Sequence, residues 1–396
     1  MNGESTGAIG VDALTRVTLL LCVRLLPSDA PKPLSLSEYY RLLAWVDAKG
    51  IPLGNLLSLD GRKQLAYYPD ADRIQSLLRR SADVDMVLGH WQELGIWVLG
   101  EQDPRFPQRL RKRLRSACLP LLFGAGSVEI LNQGGLCVVG SRDCAEDALE
   151  FAQVIGNRAG HENMVVISSD MRGVDRQVLA STLNSGGRAV CILSDSLEKA
   201  VGSRRYRDAL DTGRGCLITP FTPDTHFAVA NAMRTNRYQY GLSDAAIVVE
   251  ARQTGGIWSG AEENRKHRWV PAFVRCGPEV SNGNSALLHL GLLPITREDL
   301  DGCHSLTDLL VDLVQKPRRP GFDVGERDRS SKSLGETMFT MFVDELRRMD
   351  PEMWRLEQAI AAMYGLEVQQ VHTWIRRAQS EGLLETSAEY CAGEPE

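Results

Sequence analysis

The spacing of apolar positions divides the chain into three stretches. Residues 1–92 read as helical and irregular. Ser37 ahead of Glu38 and the run Tyr39–Trp45 predicts a helix opened by a serine cap and ended by Gly50-Ile51-Pro52, and Ile74–Arg80 predicts another. Between about 93 and 295 the rhythm changes. Short apolar runs end at Gly or Ser and give way to helical stretches. Strands are predicted over Leu136–Val139, Met164–Ile167, Ala189–Leu193, Cys216–Thr219, Ala245–Val249 and Trp269–Val274, with helices over Ala145–Arg158 and Gly173–Leu183. Strands that alternate with helices and are near-continuous in Val and Ile predict a parallel, doubly wound sheet covered on both faces. Beyond it the pattern becomes polar, with Pro and charge at Lys316–Gly321 and Arg327–Lys332, which predicts an extended linker. The last stretch is helical again. Met353–Met363 and Val368–Ala378 flank a turn at Tyr364-Gly365, a helix-turn-helix signature in which Val371 and Trp374 would face the first helix. The expected organisation is a helical N-terminal domain over 1–92, a doubly wound α/β domain over 93–314, a linker over 315–335 and an end domain over 336–396.

Composition adds little to this outline. Of 396 residues, 43% are hydrophobic and 24% charged, as in ordinary globular chains. The longest apolar run, Val17–Val23, is far shorter than the roughly 20 residues of a membrane span. The start Met1-Asn2-Gly3-Glu4 has no basic lead into an apolar core, so a cytoplasmic protein without membrane attachment is expected. Nine cysteines, none in a Cys-x-x-Cys pair, fit reduced thiols. The seven histidines show no zinc spacing, so no metal and no cofactor are expected. The formal net charge of -6 does not announce a nucleic-acid binder, but a local basic stripe is what meets phosphates.

The chemistry sits at glycine-bearing turns after strands. A strand that ends in glycine and opens into a helix presents backbone N–H groups and the positive end of the helix dipole to an anion. Gly140-Ser141-Arg142 is such a turn, with a hydroxyl and a guanidinium added; an ordinary βα turn carrying a surface arginine reads the same way. Arg172-Gly173 opens the next helix, with Asp175 in a position that the dipole alone would favour. Gly255-Gly256 follows the strand ending near Glu250. Three such turns at one sheet edge together point to a phosphate-bearing ligand, because open α/β sheets bind ligands there. Arg105, Arg109, Arg111, Lys112, Arg113 and Arg115 form a local basic patch, which reads either as a nucleic-acid contact or as a solvated helix face. Arg204, Arg205 and Arg207 form a smaller cluster.

An ordered series of motifs resembles the DprA/Smf DNA-processing family. Asp103-Pro104-Arg105-Phe106-Pro107 and Leu119-Pro120 with Gly126 resemble its opening segment. Val139-Gly140-Ser141-Arg142, Arg172-Gly173-Val174-Asp175, Asn236-Arg237, Val248-Val249-Glu250-Ala251 and Gly283-Asn284 follow in family order over roughly 100–292. The end domain is similar to the winged helix that many members carry. The resemblance implies a Rossmann-like domain that binds single-stranded DNA, dimerises and hands the strand to a RecA-type recombinase, in recombination, natural transformation or handling of foreign DNA. The residues it implies at the DNA are Gly140, Ser141, Arg142, Arg172, Gly173, Asn236, Arg237, Gly255 and Gly256.

The chain departs from that pattern in places. Ser168-Ser169-Asp170 stands where the family usually has Ser-Gly, Leu179 where it has histidine, Thr235 where it has the first arginine of Arg-Asn-Arg, and Ala232-Met233 where it has Phe-Pro. Thr254-Gly255-Gly256-Ile257-Trp258-Ser259-Gly260-Ala261-Glu262 resembles the Pro-Gly-Gly-x-Gly-Thr-x-x-Glu motif of the related lysine-decarboxylase-like (LOG) phosphoribohydrolases, with Glu262 at the place of the catalytic glutamate. A nucleotide-binding or nucleotide-hydrolysing enzyme is therefore an alternative. Against it, Trp258 fills the place of a glycine, and Glu262-Glu263 also reads as a solvated pair. A third reading is a DNA-binding adaptor acting through its winged helix.

Overall fold

The computed structural model describes residues 11–25, 31–278, 280–315, 343, 346, 357–364, 368–381 and 383–384. The expected linker beyond Gln315, most of 336–356 and Gly365 of the expected turn lie outside the described residues. The chain divides into two compact units, Met1–Pro317 and Arg318–Glu396.

In the first unit the described strands form one nine-stranded sheet. They are β1 (Ile96–Gly100), β2 (Leu121–Gly126), β3 (Leu136–Gly140), β4 (Val165–Ser169), β5 (Arg188–Ile192), β6 (Gly215–Thr219), β7 (Ala245–Glu250), β8 (Ala272–Arg275) and β9 (Leu293–Ile295). Their spatial order is β1-β2-β6-β5-β4-β3-β7-β8-β9. The strands from β3 to β9 run parallel, and β1 and β2 add on antiparallel at the β6 edge. The chain steps outward from β3 through β4, β5 and β6, then returns to the other side of β3 to lay down β7. That reversal is a topological switch point, and it opens a crevice between the C-terminal ends of β3 and β7.

Alternation along the strands covers both faces. Leu136 and Val138 pack against Ala148, Phe151 and Ile155 of the helix Glu146–His161 and Val174 and Val178 of the helix Val174–Asn184. Cys137 and Val139 face the other way, toward Tyr240 of the helix Val229–Leu242 and Ala261 of the helix Gly256–His267. Side chains of period two on a strand buried from both sides give the continuous apolar reading seen in the sequence.

Val17 and Leu19–Leu21 of the helix Ala13–Cys22 share one core with Val98 of β1 and Phe123 of β2. The serine cap of the helix Leu36–Ala48 is Ser35, not Ser37, and it forms a full capping box with Glu38. In the second unit the helices Glu357–Tyr364 and Val368–Ser380 bury Ile360, Ala361, Val371 and Ile375 in a small core, with Trp374 partly buried against it.

Candidate nucleic-acid interface

A cleft of about 530 Å³ lies at the switch point. Its walls are the β3 turn Gly140–Asp143, Asp175, the β7 exit Glu250–Arg252, the turn Thr254–Gly256, and Val229, Ala232, Met233 and Asn236 of the next helix. The Gly140 and Gly255 turns therefore meet at the cleft, whereas Arg172 and Gly173 do not line it, and the three turns do different work.

Gly140 is a packing residue. Its N–H donates to Asp175 Oδ1 at 3.0 Å, so it is not available to an anion. A Cβ there would lie 2.6–2.8 Å from the Val174 side chain. Gly173 has φ +83, and a Cβ on it would lie 2.3 Å from the Ser141 carbonyl oxygen. The two turns are thus locked to each other, with Arg142 carried outward. Gly255 differs. Its φ is +104, a Cβ would meet nothing within 4 Å, and it opens the helix Gly256–His267, whose N-cap makes no side-chain hydrogen bond. The first N–H groups of that helix face the cleft without a capping side chain, beside the exposed Arg252 and Arg142.

Asp175 is buried beneath the β3 turn and also accepts a hydrogen bond from Ser169 Oγ. Burial pushes its carboxyl up to about 7, against the pull of the hydrogen bonds from Ser169 and Gly140 and of the Arg142 charge. The folded-state value thus lies above the unfolded one. The contribution to stability is full below about 4, the unfolded value, and is lost as pH rises through about 7. Asp175→Asn can keep the acceptor for Gly140 without the ionisation. Thermal melts should show the variant gaining on the parent as pH rises from 5 to 8, and a gap that stays constant with pH would contradict a buried ionising carboxyl here.

Several sequence-predicted cations are already engaged. Arg237 pairs with Glu263 at 2.8 Å and faces a neighbouring cavity rather than the cleft. Asn236 spends its amide on the Gly256 carbonyl at 2.8 Å, which fixes the glycine turn. Arg172 lies 3.6 Å from Asp143, and Arg252 lies 3.7 Å from the same carboxylate. Asp170, which ends the Ser168-Ser169-Asp170 departure from the family pattern, is held by Arg176 and Arg205 and does not line the cleft.

The basic patch lies elsewhere. Arg109 pairs with Asp244, which immediately precedes β7, at 2.7 Å. Arg113 donates to the carbonyls of Tyr240, Gly241 and Ser243, Arg105 pairs with Asp103, and Arg111 reaches the Glu101 carbonyl. Arg109 and Arg113 thus brace the N-terminal edge of the parallel strands, opposite the cleft, while Lys112 and Arg115 are exposed. Glu262 does not line the cleft either, and Trp258 packs against the core of Val139 and Tyr240.

Sequence reasoning passed over Asp143, Arg252 and Phe227 and named Asn284 only as part of a family motif; all four shape the site. Asn284 is buried and accepts from the Ala251 N–H at 2.8 Å while donating to the carbonyls of Val249 and Arg275, both at 2.9 Å. It holds the β7 exit that leads to Arg252 and Gly255. Gly283 permits this, since a Cβ there would lie 2.1 Å from the Ala251 carbonyl oxygen.

Known proteins share this fold. DNA processing protein DprA of Streptococcus pneumoniae is 23% identical over 182 residues, which cover 44% of this chain and 63% of that protein. The match thus spans less than two thirds of the relative's length. The X-ray structure of the S. pneumoniae protein superposes with a TM-score of 0.55 at 19% identity, covering 70% of this chain and 93% of that one. A structure of DNA processing protein A from Helicobacter pylori, described in terms of its single-stranded DNA binding mode, gives a TM-score of 0.45 at 17% identity over 55% of this chain and 95% of that one. The family model for DNA recombination-mediator protein A matches residues 97–298, just over half of the chain, and takes in the sheet together with every turn of the cleft. On that match the chain belongs to the DNA recombination-mediator protein A family.

Proposed function

We propose that the strand-end cleft binds single-stranded DNA through its phosphates, without catalysis, and that the protein serves DNA processing and recombination. One observation carries this reading: at the switch point, the uncapped helix N-terminus at Gly255 lines the same open cleft as Arg142 and Arg252. Backbone N–H groups and guanidinium forks are the donors that phosphate oxygens take. We further propose a cytoplasmic homodimer that delivers the strand to a RecA-type recombinase, in natural transformation, recombination or defence against foreign DNA. The end domain is read as a winged helix with a secondary part in DNA binding. Its second helix carries Arg376 and Arg377, but Arg377 pairs with Glu381 at 2.7 Å.

Asp143 gives the test. Its carboxylate lies between Arg172 and Arg252, where a phosphate would be drawn, and all three side chains are exposed. Such solvated pairs are weak, about 0–1 kcal/mol, so a phosphate can replace the carboxylate at small cost. Asp143→Asn should tighten binding of a labelled single strand by about two- to fivefold, measured by fluorescence anisotropy at low salt. Weaker or unchanged binding would remove the cleft from the proposed DNA path.

A further inference from the structure

The wall of the cleft opposite the β3 turn is apolar, and phosphate binding makes no use of it. Phe227 is 46% exposed, Val229 68% and Met233 47%, and Val229, Ala232 and Met233 line the cleft. Single exposed apolar side chains are ordinary, but three within seven residues at the mouth of a polar cleft form a patch. Phe227 is tied to the phosphate side of the cleft. The Arg142 guanidinium lies over its ring, 5.5 Å from the centroid. That contact holds a flexible cation at the mouth and orients an aromatic face beside it.

We propose that Phe227 is a base-stacking residue: an unpaired nucleobase lies on the exposed part of its ring, against Val229 and Met233, while Arg142 holds the adjoining phosphate. The inference rests on the single-strand reading above and adds what selects a single strand. Every base has a π-face, so stacking on an aromatic ring tolerates any sequence. In a duplex both faces of a base are already stacked, so this wall rewards only an unpaired strand. A free polyanion gains the Arg142 contact but nothing from the ring. The spacing suits the chemistry, because a ring beside a guanidinium presents the two surfaces that a nucleotide offers, an apolar base and an anionic phosphate.

The experiment compares an oligothymidylate with a strand of the same length and charge built from abasic sites, using the full chain and its Phe227→Ala and Phe227→Trp variants. The ring is exposed, so unchanged circular dichroism and melting temperature are required of each variant first. The parent should bind the base-bearing strand on the order of tenfold more tightly than the abasic one, a stacking gain of the size seen for one base on one aromatic ring. Phe227→Ala should abolish most of that preference, with a smaller loss on the abasic strand because the ring also steadies Arg142, and Phe227→Trp should keep it. Equal affinity of the parent for both strands, or a Phe227→Ala variant that retains the preference, overturns the stacking role while leaving the phosphate reading intact. Failure of the parent to bind either strand overturns the reading beneath it.

Discussion

Arg142→Ala is expected to weaken single-strand binding about thirtyfold at low salt, the loss of one charge-assisted contact worth roughly 2 kcal/mol. Arg142 is the cation of the β3 turn that faces the cleft and engages an aromatic ring rather than a carboxylate. It needs no ion pair to be broken before it meets a phosphate. The variant should also flatten the salt dependence, by about 0.7 in the log–log slope for each phosphate contact removed. Arg142→Lys restores the charge but not the fork, and should recover only part of the loss. Anisotropy titrations from low to physiological salt give both quantities. An unchanged slope with lower affinity would mean that Arg142 supports the turn without touching DNA.

The second large effect is on stability. Asn284→Ala is expected to destabilise the first unit by about 3 kcal/mol, because it strands one N–H and two carbonyls in a buried place. For a unit of this size that corresponds to a fall in melting temperature of roughly 6–12 °C. Asp and Ser cannot substitute well, since the site needs one acceptor and a two-hydrogen donor together. The β7 exit should loosen at the same time, so DNA affinity in the surviving folded protein should drop with it. A melting temperature within 2 °C of the parent would show that water or a backbone shift satisfies those groups.

The sheet was legible where strands are buried on both faces. β3 to β7 read as short apolar runs, and the structure moves their ends by one or two residues. β1, β2 and β9 were not legible. β2 carries Gly124 and Gly126, and β9 has three residues with Pro294 at its centre, so neither shows a strand's composition. The start of β8 was set too early, because Trp269 and Val270 belong to the cap and core around Asn264 rather than to the sheet.

At the site, residue types were legible and partners were not. A glycine turn after a strand marks a sheet edge, and the Gly140 and Gly255 turns meet at one cleft. Which donors remain available depends on contacts that no local pattern encodes. Gly140 is occupied by Asp175, 35 residues on, and Arg109 by Asp244, 135 residues on. The six-cation patch read equally as a phosphate contact or a solvated helix face, and two of its members, Arg109 and Arg113, brace the opposite edge. Arg252 was within reach of sequence reasoning, since it stands directly after the β7 motif and three residues ahead of Gly255. Phe227 was not, because an aromatic residue in a loop signals nothing until its exposure and its neighbour are seen.

The central claim is that the cleft selects an unpaired polynucleotide by its phosphates and one of its bases. The most direct measurement is the affinity of the full chain for a single strand, a duplex of the same sequence and a mononucleotide, each at two salt concentrations. The account predicts tight, steeply salt-dependent single-strand binding, weaker duplex binding and little affinity for the mononucleotide. Tight mononucleotide binding that is insensitive to salt would contradict it and identify the cleft as a small-molecule site.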